Sequence, residues 1–289
     1  MTDRLADITA RIQGIHQLGA VVSAMRGIAA ARAQQARMQL SAVDAYSKTI
    51  ALAIGRTLAF LPSPGAAEPR ARRPALVVFC AEQGFAGAFS ERVLHSISGD
   101  LGKCELFLIG TRGRNALAER RIAAGWQCAM PSHSPGVPRL ADRIVESLYA
   151  RIASGAIDAL DVVFSRWSPA SGAEVKRQRL FPFDADAFPR AIHPNPPLLN
   201  LAPDDLVRDL AADYLHAQLC RAGLHAFAAE NQARMEAMAA ARKQVERQLS
   251  ALQARQRLVR QEEITAEVIE LAAGETASQG DAQSRPDPS

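Results

Sequence analysis

Residues 5–29 read LADITARIQGIHQLGAVVSAMRGIA, and their pattern is the strongest indication of the architecture. Its apolar side chains return at gaps of three and four residues, with Leu18 and Gly19 between the two halves of the series: Leu5, Ile8, Ile12, Ile15, Val22, Met25 and Ala29. Such a heptad seam is typical of a helix that winds around a partner helix. No proline interrupts residues 3–57, so the pattern predicts one helix of ~55 residues, ~80 Å long.

A second long helix is predicted near the other end of the chain. Apolar residues there recur every seven positions, flanked by Met235 and Leu249: Met238, Val245, Leu252 and Val259. The pattern predicts a helix from 204 to about 272, ~100 Å long, which ends near Gly274. Helices of this length cannot pack around a compact core, so we expect the two to pair as an antiparallel coiled coil. We expect residues 274–289, which lack apolar periodicity, to be a disordered tail.

The middle of the chain has a different pattern, and two proline-rich segments, 61–74 and 189–203, set it apart. Short apolar runs are followed by glycine and helical stretches, and a pair of longer runs flanks the turn SPASG; the predicted strands are 75–81, 105–110, 126–130, 158–167 and 173–183. Alternation of strands and helices predicts an α/β layer with a largely parallel sheet and one antiparallel edge. The sequence therefore predicts four parts: an amino-terminal coiled-coil helix (1–60), an inserted Rossmann-like α/β domain (75–188), a carboxyl-terminal coiled-coil helix (204–273) and a tail (274–289).

Motifs for catalysis or cofactor binding are scarce. The sequence contains no GxxxxGK[ST] phosphate loop, and the glycines at 84–87 and 110–113 fit tight strand-to-helix turns rather than GxGxxG. His216 and Cys220 have the i, i+4 spacing of a metal pair, but no clear third ligand lies near them in the sequence. We therefore expect no catalytic residue, no cofactor and no bound metal.

Charge is concentrated on the second long helix. Between Arg234 and Arg260 there are seven basic and two acidic residues, which gives a net charge of +5. Such a segment is either a solvated helix face or a basic surface for an acidic partner, and taken alone it fits nucleic acid equally well.

Four stretches carry a resemblance to a known family. Residues 228–241 (AAENQARMEAMAAA) and 260–274 (RQEEITAEVIELAAG) resemble the S-E-x-x-A-R-M-x-A-M and R-Q-x-x-I-T-x-E signatures of the gamma subunit of the F-type ATP synthase. The segment VVSAMRGIAAAR near the amino terminus and VVFCAEQGFAGAFSERV (77–93) resemble the family more loosely. Glu82, Gln83 and Ala86 replace the family's usual Asp-Arg and Cys, and Arg26-Gly27 replaces Glu-Met, so the chain resembles a divergent bacterial member.

The resemblance implies a function without catalysis. A gamma subunit is the central rotor shaft that couples transmembrane ion flow to ATP synthesis or hydrolysis in a hexamer of alpha and beta subunits. Its α/β domain sits on the ring of membrane c subunits beside epsilon, peripheral to the cytoplasmic face of the bacterial inner membrane. By the same resemblance, Arg260, Gln261, Thr265 and Met25 are expected to contact the beta subunit. No nucleic acid and no insertion into the membrane are implied.

Two other interpretations remain open at this level. A coiled-coil module that binds nucleic acid or a regulatory partner would use the basic helix, although aromatic residues are not interleaved with the basic ones. A small-molecule enzyme would use the α/β domain, although no acid–base cluster is evident in its sequence.

Overall fold

A computed structural model describes residues 2–61, 73–170, 172–184, 187–189 and 198–283. The helices are α1 (Thr2–Leu58), α2 (Phe89–Ser96), α3 (Thr111–Glu119), α4 (Val137–Ala153) and α5 (Pro203–Gln283). The strands are β1 (Pro74–Phe79), β2 (Glu105–Ile109), β3 (Trp126–Cys128), β4 (Ala159–Ser168) and β5 (Gly172–Phe181). By its internal contacts the chain divides into two units, residues 1–25 with 238–289, and residues 26–237.

The unit of residues 26–237 contains one five-stranded sheet in the order β3-β2-β1-β4-β5. β1 pairs in parallel with β2 and β4, β2 pairs in parallel with β3, and β5 runs antiparallel to β4. The predicted parallel sheet with one antiparallel edge is therefore confirmed. Its strands begin and end within two residues of the predicted positions.

Both faces of the sheet are covered, because successive side chains of β1 point to opposite sides. Leu76 and Val78 pack in one apolar cluster with residues of α2 and α3. Val77 and Phe79 pack in the other, with α4 and with the parts of α1 and α5 that belong to this unit. Strands covered on both faces read as continuous apolar runs, which explains the composition of PALVVF and ELFLI.

The unit of residues 1–25 and 238–289 is a pair of helices. The Gln256 amide donates to the Thr9 hydroxyl (2.9 Å), and the Arg242 guanidinium donates to the Ser23 hydroxyl (2.8 Å). Partner numbers fall as residue numbers rise, so the helices run antiparallel. The predicted seam is confirmed, since its members include buried side chains on both helices: Ile8, Val22, Met238, Val245 and Val259.

The two helices are antiparallel in the other unit as well. There, Arg37 donates to Gln232 (2.9 Å), and Gln218 donates to Ser47 (2.7 Å). The predicted helical hairpin with an inserted α/β domain is therefore the observed fold.

The predicted end of the second helix needs a correction. α5 runs to Gln283, not to about residue 272, so the prediction of a disordered tail is wrong for residues 274–283. Gly274 and Gly280 each disfavour a helix by only about 1 kcal/mol, and the intervening alanine, glutamate and glutamine residues are good helix formers. The first proline after Gly274 is Pro286, and residues 284–289 lie outside the described part of the chain.

Candidate functional site

The residues expected to contact a partner lie in two separate places. Arg260, Gln261 and Thr265 are exposed on α5, and the Thr265 hydroxyl donates to the Gln261 carbonyl oxygen (2.8 Å). Met25 is half-buried on α1, two residues from Ser23, which bonds to Arg242. Because Arg242 lies 18 residues before Arg260 on α5, the two places are separated by roughly 27 Å along the helix axis. The structure therefore does not bring Met25 together with the other three residues.

α5 continues beyond the end of its partner helix. Thr9 lies opposite Gln256, and α1 begins only seven residues before Thr9, at Thr2. α1 therefore faces α5 only as far as about residue 263, and the last ~20 residues of α5 extend without it. A signal for this feature was present in the sequence, because the second predicted helix was longer than the first.

The extending part of α5 carries exposed apolar side chains: Ile264, Val268, Ile269 and Leu271. Ile264, Val268 and Leu271 follow the i, i+4, i+7 spacing of one helix face, and Leu271 is 74% exposed. A contiguous apolar stripe on a protein surface marks an interaction site. The end of α5 is therefore a candidate interface with another chain.

The basic segment of α5 is largely on the surface. Arg242 pairs with Glu246 on the same helix (2.9 Å), while Lys243, Arg247, Arg255, Arg257 and Arg260 are also exposed. Arg234 is the exception, since its side chain is only 6% exposed and pairs with the buried Glu230. The surface charge is therefore smaller than the sequence count of +5 suggested.

A second candidate position is the carboxyl edge of the parallel strands, where folds of this type usually bind ligands. The Glu82 carboxylate, in the loop after β1, occupies this edge. It accepts hydrogen bonds from the backbone N–H of Thr111 (3.0 Å), the Thr111 hydroxyl (2.5 Å) and the backbone N–H of Met130 (2.9 Å). Thr111 begins α3, and a helix amino terminus attracts anions. The protein's own carboxylate thus occupies the place of a bound anion.

The turn before α3 depends on glycine. Gly110 has φ +100°, and a Cβ there would lie 2.4 Å from the Cys80 carbonyl oxygen. The glycines at 110–113 therefore serve close backbone packing, as the sequence indicated, and Gly113 likewise leaves no room beside the Cys80 side chain.

Glu230 and Arg234 of α5 hold the same loop from the other side. The Glu230 carboxylate accepts from the backbone N–H groups of Glu82 and Gln83 (3.2 Å each). Arg234 donates to Glu230 (2.5 Å) and to the carbonyl oxygen of Gly84 (3.1 Å). In the sequence, Glu82 stood out only as a departure from the family pattern, and Glu230 only as one residue of the motif in 228–241. The available signal was an acid and an arginine four residues apart on a predicted helix.

The His216–Cys220 pair does not have the properties of a metal or nucleophilic site. His216 pairs with Asp142 (3.0 Å), and its ring lies 3.7 Å from the Cys220 sulfur. Burial raises the pKa of the Cys220 thiol to about 12, so the thiol stays protonated and is a poor ligand or nucleophile. In the described ranges, no group of three or more His, Cys, Asp or Glu side chains could hold a metal ion.

Comparison with known proteins gives one consistent result. A family model described as ATP synthase matches residues 4–277. The ATP synthase gamma chain of Rhodospirillum rubrum is 25% identical over 300 residues, which cover 94% of this chain and 99% of that protein. The ATP synthase gamma chain of Anaeromyxobacter dehalogenans is 26% identical over 292 residues, with 94% and 99% covered.

A solved structure shares the fold. A chain in the cryo-EM structure of the Euglena gracilis mitochondrial ATP synthase (OSCP, F1 and c-ring, rotational state 3) superimposes with a TM-score of 0.70. The superposition covers 100% of this chain and 99% of that chain, at 12% sequence identity. Long paired helices around an inserted sheet domain are thus an established architecture.

Proposed function

Because residues 4–277 match its model, the chain belongs to the ATP synthase family, and we propose that it is the gamma subunit, the central rotor shaft. In this role it couples transmembrane ion flow to ATP synthesis or hydrolysis in a hexamer of alpha and beta subunits. The observation that carries the proposal is the end of α5, which extends past its partner helix and exposes an apolar stripe. An exposed stripe on a single helix is suited to insertion into a surrounding partner.

The physical need for a shaft follows from the energy of ion transport. Moving one charge across a membrane releases about 2.3 kcal/mol per 100 mV, so several ions must be combined for each ATP. A rotating helix pair combines them mechanically, because the side that faces a given beta subunit changes with its angle. Each beta subunit's conformational equilibrium is then shifted in turn.

The catalytic chemistry belongs to the partner subunits. Supporting this, the edge of the sheet where a nucleotide would bind is occupied by the Glu82 carboxylate, with Glu230 beside it. Because Arg234 neutralises Glu230, the charge of the Glu82 carboxylate is the one that repels phosphate groups here. The chain therefore acts as a non-catalytic subunit, and ATP turnover takes place in the beta subunits.

The partners are the alpha and beta subunits, the epsilon subunit and the ring of membrane c subunits. None of the described helices is long and apolar enough to cross a membrane. The chain is held at the cytoplasmic face of the bacterial inner membrane by these partners. The exposed basic side chains of α5 from Arg242 to Arg260 face acidic loops of the beta subunits.

Individual contacts with the beta subunit involve two positions on the helix pair. Arg260, Gln261 and Thr265 are exposed and lie within a ~140° sector of α5, which one loop can reach. Met25 contacts the hexamer at a different height, near Arg242. The Thr265 hydroxyl is already bonded to its own helix, so Arg260 and Gln261 provide most of the polar contact.

Co-expression with the alpha and beta subunits of the same bacterium tests the proposal. The chain is expected to co-purify with both subunits as one complex that hydrolyses ATP, while the isolated chain does not. Recovery of the chain alone, or of the chain with bound nucleic acid in place of alpha and beta, would contradict the proposal and favour a nucleic-acid-binding module.

A further inference from the structure

One group of charges joins α5 to the sheet, and we name its members, the half-buried Glu82 and the buried Glu230 and Arg234, the clasp. The side chains of Glu230 and Arg234 are 5% and 6% exposed. A buried ion pair is seldom a net source of stability, because apolar residues of similar volume serve as well. The clasp therefore calls for an explanation other than stability.

The clasp connects α5 to three neighbouring strand ends. Glu230 and Arg234 bind three consecutive residues of the loop after β1, through the N–H groups of Glu82 and Gln83 and the carbonyl of Gly84. The Glu82 side chain then binds the N–H of Thr111, just after β2, and that of Met130, just after β3. A continuous set of hydrogen bonds thus leads from one helix to the ends of β1, β2 and β3.

Elsewhere α5 meets the sheet mainly through apolar side chains such as Leu219 and Phe227. Apolar contacts resist separation, but they are not directional and oppose sliding weakly. Hydrogen bonds to charged groups depend on distance and angle, so they oppose small displacements in every direction. Where a helix must not slide on a sheet under load, hydrogen bonds to charged groups are needed.

We propose that the clasp is the joint through which torque passes between α5 and the sheet; this inference rests on the proposed role of the chain as a rotor. Glu230 and Arg234 are positioning residues in this joint, since they act by fixing the loop after β1. Loss of the clasp leaves the helix attached by apolar contacts but allows it to shift on the sheet when loaded.

The first test follows the clasp itself by hydrogen exchange in the isolated full-length chain. Glu230→Gln keeps the shape of the side chain but replaces one carboxylate oxygen with an NH2 donor, whereas both oxygens accept from backbone N–H groups in the wild type. We expect the amides of Glu82 and Gln83 to exchange about tenfold faster or more. The amides of β1 itself are expected to exchange at the wild-type rate, because the sheet stays folded.

The second test measures coupling in the complete enzyme in membrane vesicles. The number of ions pumped per ATP hydrolysed is expected to fall in Glu230→Gln and in the double variant E230M/R234M. The expected fall is about fivefold or more, because fivefold is the lower end of the effect that one site typically has on another. ATP hydrolysis by the complex released from the membrane is expected to stay within about twofold of wild type. No load crosses the clasp in the released complex. A variant with a structural defect would therefore lose hydrolysis there as well, whereas a variant that only fails to transmit torque would keep it.

The matched control is E105Q/R151Q. Arg151 and Glu105 also form an ion pair in the same unit, but it joins α4 to β2 and does not touch α5, so coupling is expected to remain normal. The E230M/R234M variant covers the case in which a single buried charge prevents folding, since it removes both members of the buried ion pair. Full coupling in a clasp variant whose loop amides exchange rapidly would overturn the proposal. A wild-type chain that supports no coupled synthesis would instead contradict the proposed function.

Discussion

At the scale of single residues, two carboxylates accept the hydrogen bonds of N–H groups at the carboxyl edge of the sheet. Glu82 bonds to the N–H of Thr111 at the start of α3, and Glu230 bonds to the loop after β1. Both side chains use hydrogen bonds that a bound anion would otherwise receive. The N–H groups that these two carboxylates bind are therefore not available to a ligand.

Arg260 and Gln261 carry a prediction at this scale that follows from the proposed contact with the beta subunit. We expect Arg260→Leu and Gln261→Leu each to lower ATP hydrolysis of the assembled hexamer by roughly twofold to a hundredfold, since each loses hydrogen bonds worth about 0.5–3 kcal/mol. Circular dichroism of the isolated variants is expected to match wild type, because both positions are exposed. The control is Gln248→Leu, an uncharged exposed residue on a different side of α5, which is expected to keep normal turnover. Normal turnover in both test variants would remove these two residues from the mechanism.

His225 carries a prediction about pH. Burial, reinforced by Arg221 and Arg166, lowers the pKa of His225 to about 4 from an ordinary 6.5. The unfolded chain therefore binds a proton at this residue before the folded chain does, so His225 makes the fold less stable as pH falls from 6.5 to 4. Because the ring is partly exposed, the loss is discounted to roughly 1–2 kcal/mol.

The variant His225→Phe tests this pH dependence, since a phenyl ring can keep the stacking on Phe164. Urea unfolding at pH 7 and pH 4.5 is expected to show a smaller loss of stability in the variant than in wild type. An equal loss in both proteins would mean that His225 does not contribute to acid sensitivity.

At the scale of elements, α5 changes role along its length. From Met238 to Val259 its seam is buried against α1, whereas from Ile264 onward its apolar residues are exposed. The same residue type should therefore have different effects at the two places.

Val245 and Val268 are a matched pair for this comparison, being 8% and 59% exposed on the same helix. Val245→Ala is expected to lower the free energy of unfolding by about 1 kcal/mol, because it removes buried methyl groups. Val268→Ala is expected to leave the melting curve of the isolated chain unchanged and to weaken its binding to the alpha–beta hexamer. A destabilised Val268→Ala chain would show that this part of α5 is covered within the chain itself.

At the scale of the whole molecule, both units contain the same pair of helices in the same antiparallel order. Thr9 pairs with Gln256 in one unit, and Ser47 pairs with Gln218 in the other. The two helices of one chain can pair in this order because the sheet domain lies between them in the sequence and the chain turns back there.

A disulfide between positions 9 and 256 tests the hairpin. In Thr9→Cys with Gln256→Cys, whose native side chains are in contact at 2.9 Å, oxidation is expected to join the two helices of one chain, seen by mass spectrometry as a cross-linked monomer. Thr9→Cys with Arg242→Cys is the control, because Arg242 pairs with Ser23 instead, and it is expected to remain unlinked. Cross-linked dimers from the first pair would show that the helices pair between two chains instead of within one.

The two long helices, their antiparallel pairing and the class of the inserted sheet could all be predicted from the sequence. These features follow from local periodicity and from prolines, which act within a few residues of the chain. Other features became visible only in the folded chain. Arg234 looked like a surface charge but is buried with Glu230, which binds Glu82 across 148 residues of sequence. Met25 and Arg260 looked like parts of one contact but lie apart, and α5 extends past α1. Each of these features depends on which residues of distant segments come into contact. The periodicity within one segment does not specify its register against another segment.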